Sequence, residues 1–228
     1  MSRIFAISDI HGCSYTFYEM LNKIGLNKND ELYLLGDFID RGPYSRMVLD
    51  KIMLLKAEGY QVHCLRGNHE QMMLEAPHSD EFAAIWLRNG GSEVMQEFNA
   101  LAFSDIPKKY FDFIENLDYW FEREQLLFVH AGFKLVNNVN PFELKKNMLW
   151  IRKWADQAGV EQWLNGRSVV HGHTPQTEQQ IRKRFDQPEL FPILNIDNGC
   201  AYDAEGMRQL CCVELTERII YFQKNIER

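Results

Sequence analysis

The 228-residue chain has no C-x-x-C pair, and its five cysteines are an odd number. A thiolate metal cluster and a complete disulfide framework are therefore not expected. Nowhere does an apolar run approach the ~18–20 residues that a helical membrane span requires. The apolar part of "MSRIFAISDIHG" is too short for a signal peptide, and Asp9 and His11 interrupt it. Positive charge is also scarce: 25 Lys and Arg face 32 Asp and Glu, for a net charge of −7. That balance excludes a dedicated nucleic-acid binder as the expectation. Internal repeats, low-complexity tracts and linker-like breaks are missing as well. A single domain over residues 1–228, in the cytoplasm and without a membrane partner, is expected. The composition says nothing of oligomeric state.

What the chain does have is alternation. Hydrophobic residues make up 46 %, enough for a sizeable core. Apolar runs at 3–8, 31–36 and 60–66 read as buried strands. Between them, 14–25 and 45–59 have helical spacing. Phe17, Met20, Leu21 and Ile24 share one face of the first, with Gly25 as its stop. Ser45 is the expected N-cap of the second, and Gly59 lies just past its end. Strand–helix–strand order requires crossovers, and so a parallel sheet. Residues 70–118 read as helical, 119–132 as two strands around "EREQ", and 133–166 as irregular or helical. Later strands are expected at 167–172, 192–197, 207–215 and 218–223. Cys211 and Cys212 sit side by side on one of these, so they point to opposite faces as small buried thiols.

The chemistry gathers where strands end. Asp9-Ile10-His11-Gly12 follows the first strand, and Gly36 through Gly42, with Asp37, Asp40 and Arg41, follows the second. Gly67-Asn68-His69-Glu70 follows the third, His130-Ala131-Gly132 follows "LLFV", and His171 through Pro175, with His173, follows "SVV". In parallel α/β sheets the carboxyl ends of strands form the ligand crevice. Taken singly, each ending has an ordinary use. Asp-x-His-Gly makes a capped turn, Asp40-Arg41 a surface ion pair, and Asn68 with Glu70 a helix start. His130 and His171 could each be core histidines. Five such endings in one chain point instead to one assembled site. If strand geometry persisted, Asp9 and His11 would point to the same side, about 6–7 Å apart. The Asp carboxylates, the Asn amide and the imidazoles form a mixed N/O donor set. It suits Mn, Fe, Zn, Ni or Co ions better than Ca²⁺ and does not choose among them.

These stretches, in this order, carry a family resemblance. "DIHG", "GDFIDRG", "GNHE", "HAG" and "HGHTP" resemble the calcineurin-like metallophosphoesterases, and more narrowly their phosphoprotein phosphatase branch, with its bacterial and phage members. The motifs run from Asp9 to Pro175, and "DNGCAY" at 197–202 is similar to a loop beside the active site in that family. The resemblance implies an α/β fold with a central β-sandwich flanked by helices, and two divalent metal ions. Manganese is the first expectation, with iron, zinc, nickel or cobalt as alternatives. It implies Asp9, His11 and Asp37 as ligands of one ion. Asp37 as bridge, Asn68, His130 and His173 would hold the other. His69 would be the general acid, oriented by Asp40, and Arg41 would bind the substrate phosphate. "MLWIRKW" at 148–154 is similar to the segment that supplies a second phosphate-binding arginine, here Arg152, although Arg152 could equally form a helical salt bridge. His171 and Glu70 would support the site rather than ligate.

The implied activity is phosphomonoester hydrolysis by a metal-bridging hydroxide, with protein serine/threonine phosphatase as the first expectation. The expected partner is a phosphoprotein or a small phosphorylated substrate. The alternative is a symmetrical dinucleoside tetraphosphate hydrolase, because the metal centre would attack either substrate in the same way. A non-catalytic binding module is a third class, but all six implied ligand positions are filled.

Overall fold

The computed structural model describes residues 2–190 and 192–227. Strands β1 (Ile4–Ile7), β2 (Glu31–Leu34) and β3 (Gln61–Cys64) alternate with helices α1 (Ser14–Ile24) and α2 (Ser45–Ala57). A helical stretch follows: α3 (Asn68–Glu75), α4 (Asp80–Trp86), α5 (Ser92–Glu97) and α6 (Lys108–Glu115). Then come β4 (Trp120–Arg123), β5 (Leu126–Val129), α7 (Lys145–Trp150), α8 (Val160–Leu164), β6 (Ser168–His171), α9 (Glu178–Phe185) and β7 (Ile193–Asn195). Strands β8 (Gln209–Glu214) and β9 (Ile219–Lys224) close the order. Every expected strand and both early helices are present within a few residues of their predicted limits.

The strands form two sheets, β3-β2-β1-β8-β9 and β4-β5-β6-β7. As the crossovers required, β1, β2 and β3 are parallel, with Ile7, Leu34 and Cys64 in one row. Strands β5, β6 and β7 are parallel too, whereas β8 joins β1 antiparallel. The period of two along each strand sorts side chains between layers. Phe5 and Ile7 face helices α1 and α2, while Ala6 faces the gap between the sheets. Phe128 and Val170 enter that gap as well, whereas Leu127, Val129 and Val169 face an outer cluster with Phe133 and Trp154. Cys211 lies in the inter-sheet cluster and Cys212 in the helix-covered one, so the two thiols do point apart. The result is a β-sandwich whose parallel strands from both sheets aim their carboxyl ends at a common edge.

Helix α1 buries Phe17, Met20, Leu21 and Ile24, the face its spacing predicts. Helix α2 departs from expectation at its start. Tyr44 takes the N-cap position, and Ser45 is the first helical residue. The Ser45 hydroxyl is committed elsewhere: it accepts from the Asp40 N–H at 3.0 Å.

Candidate metal centre and active site

The loops after β1 and β2 hold each other. Strand β1 stops at Ile7, so Asp9 and His11 do not continue as extended chain. The expected strand-like spacing of those two side chains therefore does not occur. Instead the backbone turns, with His11 at φ 48°. The Ile10 and His11 N–H groups both donate to the Asp37 carbonyl, at 3.0 and 2.9 Å. Asp37, Asp40, Arg41 and His173 are also left-handed, with φ of 50°, 72°, 68° and 73°. Non-glycine residues in this region cost of order 1–3 kcal/mol each and persist only where their surroundings over-determine them.

Glu70 supplies much of that determination. Its buried carboxylate accepts from the N–H groups of Gly67 and Asp37 at 2.8 Å, Phe38 at 2.7 Å and Ile39 at 3.4 Å. It thereby ties the loop after β2 to the start of α3. Burial pushes the Glu70 carboxyl up, and these four donors pull it back. Gly67 has to be glycine for a nearby reason: a Cβ there would collide with the Asp37 carboxylate.

The donors converge on Asp37. Its Oδ2 lies 3.6 Å from His11 Nε2 and 3.9 Å from His69 Nε2, and its Oδ1 lies 3.5 Å from His130 Nε2. Two groups result, His11–Asp37–His69 and Asp37–His130–His173, each with donor atoms within 4.8 Å of one another and all buried. Asn68 Oδ1 joins the second group, 3.0 Å from His130 Nε2 and 2.9 Å from His173 Nδ1. Asp9 abuts it, both carboxylate oxygens accepting from the His173 N–H at 3.1 Å. All six expected ligand residues are therefore brought to one place, and His69 stands there with them.

The chemistry of these donors fits divalent cations. His11 Nδ1 bonds the Ile39 carbonyl at 3.0 Å and His130 Nδ1 the Leu35 carbonyl at 2.8 Å, which turns Nε2 of each ring into the site. Burial drives the imidazoles to the neutral form a metal needs, His130 to about 3 and His173 to about 2. It pushes His11 and His69 well down too, with the neighbouring positive groups adding to it. The carboxyls move the other way. Burial raises Asp9 well above its usual range, and the Asp197 and Asp37 charges add to the rise. Asp37 is raised by burial and then by Glu70, and burial lifts Asp197 to about 6. Several buried carboxylates converging on neutral imidazoles make a low-dielectric pocket of negative charge, which bound cations would neutralise.

The remaining expected residues surround this centre. His69 Nδ1 lies 2.6 Å from Asp40 Oδ2. The Arg41 guanidinium donates to His11 Nε2 and lies 5.0 Å over the Tyr202 ring. Arg152 follows the end of α7 and bonds Thr174 Oγ1 at 3.3 Å, so it forms no salt bridge within a helix. It is close enough to push His130 and His173 further down. His171 bonds the Gly172 carbonyl at 3.1 Å and meets the Trp154 ring edge-on, a supporting place. Sequence reasoning missed Trp86, whose indole N–H reaches both Asp40 oxygens at 3.1 Å. It also missed Tyr202 as the platform for Arg41. Trp86 lies in an ordinary amphipathic stretch with no motif around it, whereas Tyr202 ends the quoted "DNGCAY".

Known proteins resemble this chain in sequence and in fold. Serine/threonine-protein phosphatase 1 of Salmonella typhimurium is 38 % identical over 89 residues, 39 % of this chain and 38 % of that one. A symmetrical bis(5'-nucleosyl)-tetraphosphatase of Nitrosomonas europaea is 31 % identical over 129 residues, 56 % of this chain and 44 % of its own. Each match spans less than half the length of that relative. Among solved structures, a serine/threonine phosphatase of Saccharomyces cerevisiae shares the fold, with a TM-score of 0.66 at 15 % identity, covering 100 % of this chain and 81 % of that one. Residues 2–206 match the calcineurin-like phosphoesterase family, a span that includes every strand-end motif, and the chain belongs to that family.

Proposed function

We propose that the chain hydrolyses phosphomonoesters and that its substrates are phosphoserine and phosphothreonine in proteins. The observation that carries this is the buried His69–Asp40 pair, 2.6 Å apart, with His69 Nε2 turned toward Asp37. Two divalent ions, manganese first, would supply polarisation of the phosphoryl oxygens and a water of lowered pKa. Asp9, His11 and Asp37 would hold one, and Asp37, Asn68, His130 and His173 would hold the other. Arg41 and Arg152 take the equatorial phosphoryl oxygens, where a guanidinium can bind bidentately. In its protonated form His69 would deliver the Nε2 proton to the leaving oxygen, becoming the neutral imidazole, while Asp40 accepts from Nδ1 and fixes the ring. A serine or threonine alkoxide is a far more basic leaving group than a nucleoside diphosphate and needs that proton more. A dedicated acid hydrogen-bonded to a buried carboxyl group therefore supports an alkyl ester as substrate.

A second reading, symmetrical cleavage of a dinucleoside tetraphosphate, is favoured by one cavity. About 550 Å³ in volume, it is lined by Met72, Phe82, Tyr119, Trp150, Lys145 and Lys146. Trp150 forms its wall toward the metal centre, with its ring 6.5 Å from that of His173. Aromatic walls with two ammonium groups suit a base and its phosphates. Manganese-reconstituted protein assayed side by side on phosphoserine peptides and diadenosine tetraphosphate decides between them. We expect the larger kcat/KM on the peptides. A preference for the dinucleotide by orders of magnitude would reverse the two readings.

A further inference from the structure

We propose that Trp86 is a positioning residue for the leaving-group acid: its indole N–H locks the Asp40 carboxylate so that His69 faces the leaving oxygen. The inference rests on the reading of His69 as that acid.

Asp40 is fully buried, so each of its oxygens needs a donor. Oδ2 receives His69 Nδ1 at 2.6 Å. Among the described residues the donor to Oδ1 is the Trp86 indole, at 3.1 Å. The same N–H lies 3.1 Å from Oδ2, a bifurcated contact that fixes the plane of the carboxylate. Without it Oδ1 would be a buried acceptor with no partner, and the carboxylate would gain by turning toward another donor. His69 would follow, because the 2.6 Å contact ties its Nδ1 to that carboxylate.

The chain holds Trp86 in place deliberately. The residue ends α4, and its side chain is completely buried. Beyond it the helix widens through Leu87–Gly91, where Gly90 turns at φ 115°. A Cβ at Gly90 would collide with the Arg41 backbone N and come within 2.8 Å of Asp40 Cβ. The segment that carries Trp86 is thus pressed against the loop that carries Asp40. The indole reaches the pair from a helix that contributes no candidate ligand to either group.

The test uses manganese-reconstituted full-length protein. Trp86→Phe keeps an aromatic ring and removes the donor. If that variant folds poorly, the benzothiophene isostere of tryptophan, placed at 86 alone, removes only the N–H. On a phosphoserine peptide we expect kcat to fall about tenfold, with KM and bound manganese unchanged. On an activated aryl phosphate, whose leaving group needs little protonation, we expect less than about a twofold loss. In a His69→Asn background the same change should have no further effect on kcat. Equal losses on both substrates, or full additivity with His69→Asn, would reduce Trp86 to packing and overturn the proposal. If His69→Asn alone loses equally on both substrates, the acid reading itself falls, and the role of Trp86 with it.

Discussion

The two halves of the centre are built differently. The half around His11, Asp37 and His69 is fed by the loops after β1, β2 and β3, all from one sheet. It carries a second layer of partners: Asp40 on His69, Arg41 on His11, Trp86 and Ser45 on Asp40. The half around His130 and His173 comes from the other sheet, joined by Asn68. Its imidazoles meet backbone carbonyls and the Asn68 amide, and the carboxylate nearest His130 is Asp37, which both halves share. The difference teaches a division of labour. On the proposed reading, the half with His130 and His173 would hold a cation beside Arg152, and the half with His11 and Asp37 would hold a cation beside the proton donor and Arg41. Asp37 is where they meet, with one oxygen toward each half.

Variants can break or sharpen that contrast. The largest effect is expected from Asp37→Asn, because it serves both halves. Bound manganese should fall toward zero and turnover by roughly 10³-fold or more, as read by metal analysis and steady-state kinetics. Retention of both ions would show that the halves do not depend on their shared residue. Next comes His69→Asn, with turnover on a phosphoserine peptide falling roughly 10²–10⁴-fold while two ions per chain remain. Because His69 Nε2 lies only 3.9 Å from Asp37 Oδ2, loss of an ion here would make it a ligand and sink its role as acid. The smallest effect belongs to Ser45→Ala. It removes the hydroxyl that accepts from the Asp40 N–H and should cost about 1–2 kcal/mol in denaturant unfolding. Turnover should drop only a few-fold, and metal binding in the His130–His173 half should not change. A large loss of metal there would mean that the two halves are mechanically one.

Legibility in the sequence followed the range of the interactions. The strands, α1 and α2 were readable because burial imposes a period on neighbouring residues, as with Phe17, Met20, Leu21 and Ile24. The candidate ligands were readable because each sits immediately after an apolar strand. What failed was local geometry set from outside the segment. Asp9 and His11 leave the extended conformation because the Asp37 carbonyl takes the N–H groups of Ile10 and His11. Ser45 gives up its capping position because Asp40 offers an N–H from the preceding loop. Trp86 was invisible because its partner is 46 residues away and its own surroundings call only for a core aromatic.

The sequence by itself determined many of the parts: the strands among the described residues, the two early helices, and metal-competent side chains at the carboxyl ends of five of the strands; helix α9, in a stretch that read as a loop, was not among them. Those follow from periodicity and from the identity of adjacent residues, which no tertiary contact can change. Only the tertiary structure decided how the parts act. It placed the Asp37 carboxylate between two sheets, held five candidate site residues in left-handed backbone, and set an indole against Asp40. The physical reason is that hydrogen bonds between segments distant in sequence, such as the three that Glu70 accepts from the loop after β2, exist only after the strands have come together.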